Sequence, residues 1–144
     1  MIEQINVNKI LAVNVAKVWA AISNIDGLEQ WFPIISSCSV SGDGVGAIRT
    51  LNLTEGGIMK DRIEEIDHQA KRFRYLRIES PFPVKSYRGT VELGNIDDNT
   101  CQLSWLVEID IEEDQKQQFL ELIRNALVDG INGLDRDLQT SRIA

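Results

Sequence analysis

The sequence predicts an α+β fold: a seven-stranded, curved antiparallel sheet wrapped around one long carboxy-terminal helix, with two short helices after the first strand. Three observations carry this. From Ile34 the apolar residues keep a period of two for roughly 75 residues, the signature of half-buried strands. Near the end, Phe119, Leu122, Ile123, Ala126, Leu127, Gly130, Ile131, Leu134 and Leu138 form one helical stripe, leaving Glu121, Arg124, Asn125, Asp129 and Arg136 for water. Helical patterns flank the alternating block and do not interrupt it, so strands and helices are segregated.

In chain order, residues 3–11 alternate and form the first strand. Asn14 is a suitable N-cap for a helix over 15–23 that buries Val18, Trp19 and Ile22, and Asp26-Gly27 breaks it. Residues 28–32 make a further turn, stopped by Pro33. Strands follow over 34–40, 47–53, 58–66, 72–79, 86–93 and 101–110. Their turns are marked by Ser41-Gly42-Asp43-Gly44, Thr54-Glu55-Gly56-Gly57, Asp67-His68-Gln69, the stiffer Ser80-Pro81-Phe82-Pro83, and residues 95–99. The final helix runs from about 112 to 139, with Glu112, Glu113 and Asp114 placed where the helix dipole favours acid. At 1.5 Å per residue it would be roughly 40 Å long, and a stripe of that length needs an equally long surface to lie on. Strongly twisted strands curl, and a curled sheet gripping a single helix can leave a cavity between them.

The 144 residues suit a single domain spanning 1–144, since no repeat, linker or low-complexity tract interrupts them. A net charge of -7 argues against nucleic acid as a partner and against docking on anionic lipid. No apolar run reaches membrane-spanning length, so stable membrane insertion is not expected. The start lacks the basic-then-apolar pattern of a signal peptide, and Cys38 and Cys101 read as buried thiols, so the cytoplasm is the expected location. Their spacing is not that of a metal pair, and His68 is the only histidine, so neither metal nor cofactor is expected. His68 itself lies in a turn and is expected at the surface.

Five segments in this order resemble the START-like or Bet v 1-like superfamily, which includes polyketide cyclases, aromatases and lipid-transfer proteins. They are Val15-Ala16-Lys17-Val18-Trp19, Gln30-Trp31-Phe32-Pro33, Gly44-Val45-Gly46-Ala47-Ile48-Arg49, Asp61-Arg62-Ile63 leading to Asp67, and the long final helix. The resemblance covers essentially the whole chain and implies a helix-grip fold. The segment order is also similar to that of the plant abscisic acid receptors, with 54–57 and 80–83 in the places of their gate and latch loops. Ser36 stands where those receptors carry a ligand-pairing lysine, and their Ser-Gly-Leu-Pro gate is absent, so a hormone receptor of that kind is not expected.

Strand parity then says which side chains share the face towards the helix. The inward sets are Arg49, Leu51 and Leu53; Met59, Asp61 and Ile63; Tyr75 and Arg77; Tyr87, Gly89 and Val91; and Trp105, Val107 and Ile109. The helix adds Phe119, Ile123, Leu127 and Gly130, and Trp31 adds to the wall. Apolar walls carrying a few orienting polar groups suit a small hydrophobic or amphipathic ligand, such as a lipid, a polyketide-like aromatic or an isoprenoid. The expected ligand-binding residues are Trp31, Arg49, Leu51, Leu53, Met59, Asp61, Tyr75, Arg77, Tyr87, Gly89, Trp105, Val107, Phe119, Ile123 and Leu127.

Arg49 and Asp61 fit a structural cross-strand ion pair as well as they fit a ligand contact. Arg77, costly inside a cavity unless paired, is expected at an exposed strand end. Gly130, on the buried stripe, implies either a close approach of the sheet backbone or room left for a ligand, and Gly133 lies off the stripe without a role. A second hypothesis is a cyclase or aromatase in which Arg49, Tyr75 or Tyr87 polarises a carbonyl and Asp61 moves a proton. It requires an Asp61 carboxylate that faces open space, unpaired and with a raised pKa. A third is a ligand-gated interaction module acting through loops 54–57 and 80–84, with Phe82 as an exposed anchor and a homodimer formed through that edge; an apolar residue buried under the loop explains Phe82 equally well.

Overall fold

The computed structural model describes residues 2–140. Strand β1 (Ile2–Leu11) is followed by helix α1 (Val15–Ser23) and a 3-10 turn (Leu28–Gln30). Six strands come next: β2 (Ile35–Ser41), β3 (Ile48–Leu53), β4 (Ile58–Asp67), β5 (Arg72–Glu79), β6 (Val84–Asp97) and β7 (Thr100–Ile111). A second 3-10 turn (Glu113–Gln115) leads into helix α2 (Lys116–Thr140). The seven strands form one antiparallel sheet in the order β1-β7-β6-β5-β4-β3-β2, a meander whose first strand returns beside the last. Among the described residues no helix is long and apolar enough to cross a membrane.

Local chemistry accounts for most of the boundaries. The Asn14 side chain accepts from the Ala16 backbone N–H at 2.8 Å and caps α1. The β6–β7 hairpin is longer than expected, because residues 95–97 continue the ladder and only a short turn remains. The acidic residues 113–114 lie in the 3-10 turn ahead of α2, and the α-helix itself begins at Lys116. Ile25, just after α1, adopts φ 73°, a left-handed backbone that costs a β-branched residue roughly 1–2 kcal/mol.

Helix α2 is held unevenly. Its carboxy-terminal half buries Leu127, Gly130, Ile131, Gly133, Leu134, Asp135 and Leu138. There Lys9 reaches Asn132 Oδ1 at 2.6 Å and Asp135 Oδ2 at 3.1 Å, Trp31 Nε1 donates to Asp137 Oδ2 at 2.9 Å, and Lys17 Nζ donates to the Leu138 carbonyl at 3.0 Å. A Cβ on Gly130 would lie 2.1 Å from the Phe32 ring, and one on Gly133 would lie 2.3 Å from the Trp31 carbonyl oxygen. Gly130 therefore makes room neither for the sheet backbone nor for a ligand, but for Phe32. Gly133, without a role in the sequence pattern, is where the chain after α1 touches the helix. The amino-terminal half is different. Phe119, Leu120 and Ile123 are only half-buried, and Leu122, expected on the stripe, is 48 % exposed. Its ties include the Phe82–Phe119 ring contact, with centroids 5.9 Å apart, and the Lys116–Glu3 ion pair.

Candidate functional site

The register places Arg49, Asp61 and Arg77 on one rung across β3, β4 and β5, since Arg49 pairs Asp61 and Asp61 pairs Arg77. A bulge beside this rung lets β5 skip Ile78, which is exposed, and keeps Arg77 turned inward. Arg49 donates through Nε at 3.3 Å and Nη2 at 3.0 Å to Asp61 Oδ2. Arg77 donates through Nε to Oδ1 at 2.8 Å and through Nη2 to Oδ2 at 3.4 Å. The third nitrogen of Arg49, Nη1, donates to the Ile25 carbonyl at 3.0 Å, so the strained turn after α1 presents an acceptor to a buried cation.

All three side chains are withdrawn from water: Asp61 is 0 % exposed, Arg49 4 % and Arg77 10 %. Arg77 was expected at an exposed strand end. It does lie near the end of β5, but its side chain is nine-tenths covered, because Asp61 has two oxygens and serves both guanidiniums. Burial pushes the Asp61 carboxyl up, but Arg77 and Arg49 outweigh it and hold the group below the usual carboxylate range. Burial likewise opposes the charge on Arg77, and Asp61 more than restores it.

Aromatic rings surround this cluster. The Arg49 guanidinium carbon lies 5.1 Å from the Tyr75 ring centre and 5.6 Å from that of Phe73, and that of Arg77 lies 4.1 Å from the Tyr87 ring centre. The Tyr75 hydroxyl accepts from Trp105 Nε1 at 3.2 Å, and burial raises its pKa well above that of free tyrosine. Gly89, expected to line the ligand space, is filled over by Tyr75: a Cβ there would sit 2.2 Å from the ring. Phe73, which shares the parity of Tyr75, was missed and belongs to the same wall.

The enclosed space is small. A cavity of about 20 Å³ is bounded by Ala21, Ile22, Ile25, Asp26, Leu28, Trp31, Arg49, Phe73, Tyr75, Val91 and Trp105, enough for about one water molecule. Trp31, Arg49, Tyr75 and Trp105 thus line it as expected, together with residues of α1 and the turn after it that sequence parity could not place. Leu51, Met59 and Val107 are buried in the core, whereas Leu53, Phe119 and Ile123 pack partly buried against its edge. Leu127 closes the core from α2. The wide chamber expected between sheet and helix is therefore nearly filled by side chains.

His68 is exposed in its turn, as expected, and its Nδ1 accepts from Trp19 Nε1 at 3.0 Å. Asp26, Glu29 and Cys38 bring ligand-type atoms within 4.8 Å of one another, a grouping that sequence spacing did not foresee. Asp26 there accepts from the Gly27 backbone at 2.7 Å, and burial raises the pKa of the Cys38 thiol. Phe82, which fits an exposed anchor and a residue buried under its loop equally well by sequence, is half-buried against Phe119.

Comparison with solved structures places this architecture among known ones. The aromatase/cyclase Zhui of a Streptomyces species superimposes with a TM-score of 0.84 at 15% identity, over 96% of this chain and 94% of that one. Norcoclaurine synthase of Thalictrum flavum, in complex with dopamine and hydroxybenzaldehyde, gives 0.75 at 15% identity, over 97% and 88%. An uncharacterised protein of Bacillus thuringiensis gives 0.85 at 20% identity, over 95% and 99%. Among curated proteins none matches by sequence. At these identities the likeness establishes the fold. The sequence model described as polyketide cyclase / dehydrase and lipid transport matches residues 3–139, nearly the whole chain. With a seven-stranded sheet gripping a long carboxy-terminal helix, the chain belongs to the polyketide cyclase/dehydrase and lipid transport family.

Proposed function

We propose that residues 1–144 act as one ligand-binding domain that takes up a small hydrophobic or amphipathic molecule between the sheet and α2. The observation that carries this is the uneven hold on the helix. Its carboxy-terminal half is locked by two glycine contacts and four polar ties, whereas the apolar side chains of residues 116–126 are only half-buried, beside the Phe82–Phe119 ring contact and the Lys116–Glu3 ion pair. A cavity of about 20 Å³ is far below the roughly 300 Å³ of a small-molecule pocket. Uptake therefore requires the amino-terminal half to swing away from Phe82, with the tail of the ligand replacing Phe119 and Ile123 against the sheet. Family membership supports the same reading.

A cyclase reaction using Asp61 as proton carrier is not favoured. Its carboxylate is shared by two guanidiniums and its pKa is lowered, the opposite of what that role requires. The Tyr75 hydroxyl is likewise engaged by Trp105.

The test combines the fluorescence of N-phenyl-1-naphthylamine with amide hydrogen exchange. Binding is expected to enhance the fluorescence saturably, and exchange is expected to be faster at 116–126 than at 127–138 and to slow there when the probe is present. Absence of saturable enhancement, with exchange in α2 unchanged by the probe, would overturn the proposal.

A further inference from the structure

The cluster of Arg49, Asp61 and Arg77 is not electrically balanced. Two buried guanidiniums share one carboxylate, and among the described residues no second carboxylate pairs with either. A net positive charge withdrawn from water is costly unless something answers it. Arg49 spends all three nitrogens on Asp61 and Ile25. Arg77 spends two, and its Nη1, without an acceptor among the described residues, is the part of the guanidinium left open to solvent. The hydroxyl of Tyr87, whose ring centre lies 4.1 Å from that guanidinium, has no protein partner among the described residues either, and it too opens to solvent although the rest of the residue is buried.

Both groups sit at one end of the sheet. Arg77 is near the end of β5, Tyr87 near the start of β6, and the intervening loop carries Phe82, which touches Phe119 of α2. Asp61 and the Tyr87 ring already fix the Arg77 fork, so an incoming acceptor would meet a donor whose ordering is complete.

We infer that the ligand carries a carboxylate, received by the free Nη1 of Arg77 with the Tyr87 hydroxyl beside it, while its apolar portion runs under residues 119–123. This rests on the binding function proposed above and names the chemical class of the ligand. A carboxylate would balance the charge that Asp61 leaves over and satisfy two unused donors at once. A neutral ligand would cover the same apolar surface and shut water away from that charge without answering it.

The test displaces N-phenyl-1-naphthylamine with a matched pair, decanoate and decanol, at pH 7.5. The wild-type chain is expected to favour decanoate by at least tenfold. Arg77→Gln, which leaves Arg49 and Asp61 paired one to one, is expected to abolish that preference, and Tyr87→Phe to reduce it several-fold. Equal displacement by the two compounds would overturn the inference while leaving ligand binding intact. If neither compound displaces the probe, the carboxylate assignment is wrong; if the probe itself does not bind, the binding function fails as well. Should Arg77→Gln not fold, the wild-type ratio and Tyr87→Phe still decide the matter.

Discussion

Replacing Asp61 by asparagine keeps the shape of the side chain and removes only its charge. In the native protein the carboxylate accepts four charge-assisted hydrogen bonds, at 2.8, 3.0, 3.3 and 3.4 Å, while fully shielded from water. An amide offers one oxygen in place of two and turns an NH2 towards a guanidinium. The buried cluster then carries two positive charges with nothing to offset either. Removing one member of a buried ion pair costs about 3–5 kcal/mol, and the upper end applies where two cations lose the same partner. That is a large share of the roughly 5–15 kcal/mol that holds a typical domain together, and corresponds to a fall in Tm of roughly 6–20 °C for a chain of this size. Urea unfolding followed through the buried Trp19, Trp31 and Trp105 provides the assay. A companion variant, Arg49→Met with Asp61→Leu and Arg77→Met, removes all three charges together. It should be close to wild type or more stable, because it also removes the desolvation cost. An Asp61→Asn protein within about 1 kcal/mol of wild type would refute the reasoning, since that is the behaviour of a carboxylate facing open space.

Two further outcomes follow from the same geometry. The folded pKa of Asp61 is depressed, so its contribution is complete above the unfolded value of about 3.9 and is lost only as pH falls through the lower folded value. The stability gap between wild type and Asp61→Asn should therefore be flat from about pH 5 to 8 and close only in stronger acid, which urea titrations at several pH values will show. Gly133→Ala should destabilise by about 1–3 kcal/mol despite alanine's better helix propensity. The added Cβ meets the Trp31 backbone oxygen at 2.3 Å, and backbone cannot turn aside as a rotamer can. A neutral or stabilising result in thermal unfolding would show that the helix does not approach the chain there.

The elements were legible because their periods are local. The alternation of β3 to β7 and the 119–138 stripe are written in neighbouring residues, and Asn14 caps α1 within two residues of itself. What was not legible depends on residues distant in sequence. Gly133 has a role only because Trp31, 102 residues earlier, reaches it. By sequence Asp61 has a partner in Arg49 and none to spare for Arg77, and one carboxylate serving two cations is visible only in three dimensions. Parity showed which side chains of the sheet face inward, but not that α1 and its following turn would supply the opposite wall of the small cavity. Nor does anything around Ile25 announce a left-handed residue, a position that glycine usually takes.

The contrast between the two halves of α2 assigns them different obligations. Substitutions over 127–138 disturb glycine contacts, an ion pair and backbone hydrogen bonds, and so threaten folding itself. Changes at Phe119, Leu122 or Ile123 touch side chains that are only partly covered, and so cost the fold little. Under the binding function proposed above, one stretch of helix is then free to vary with the ligand, while the remainder acts as a fixed mount.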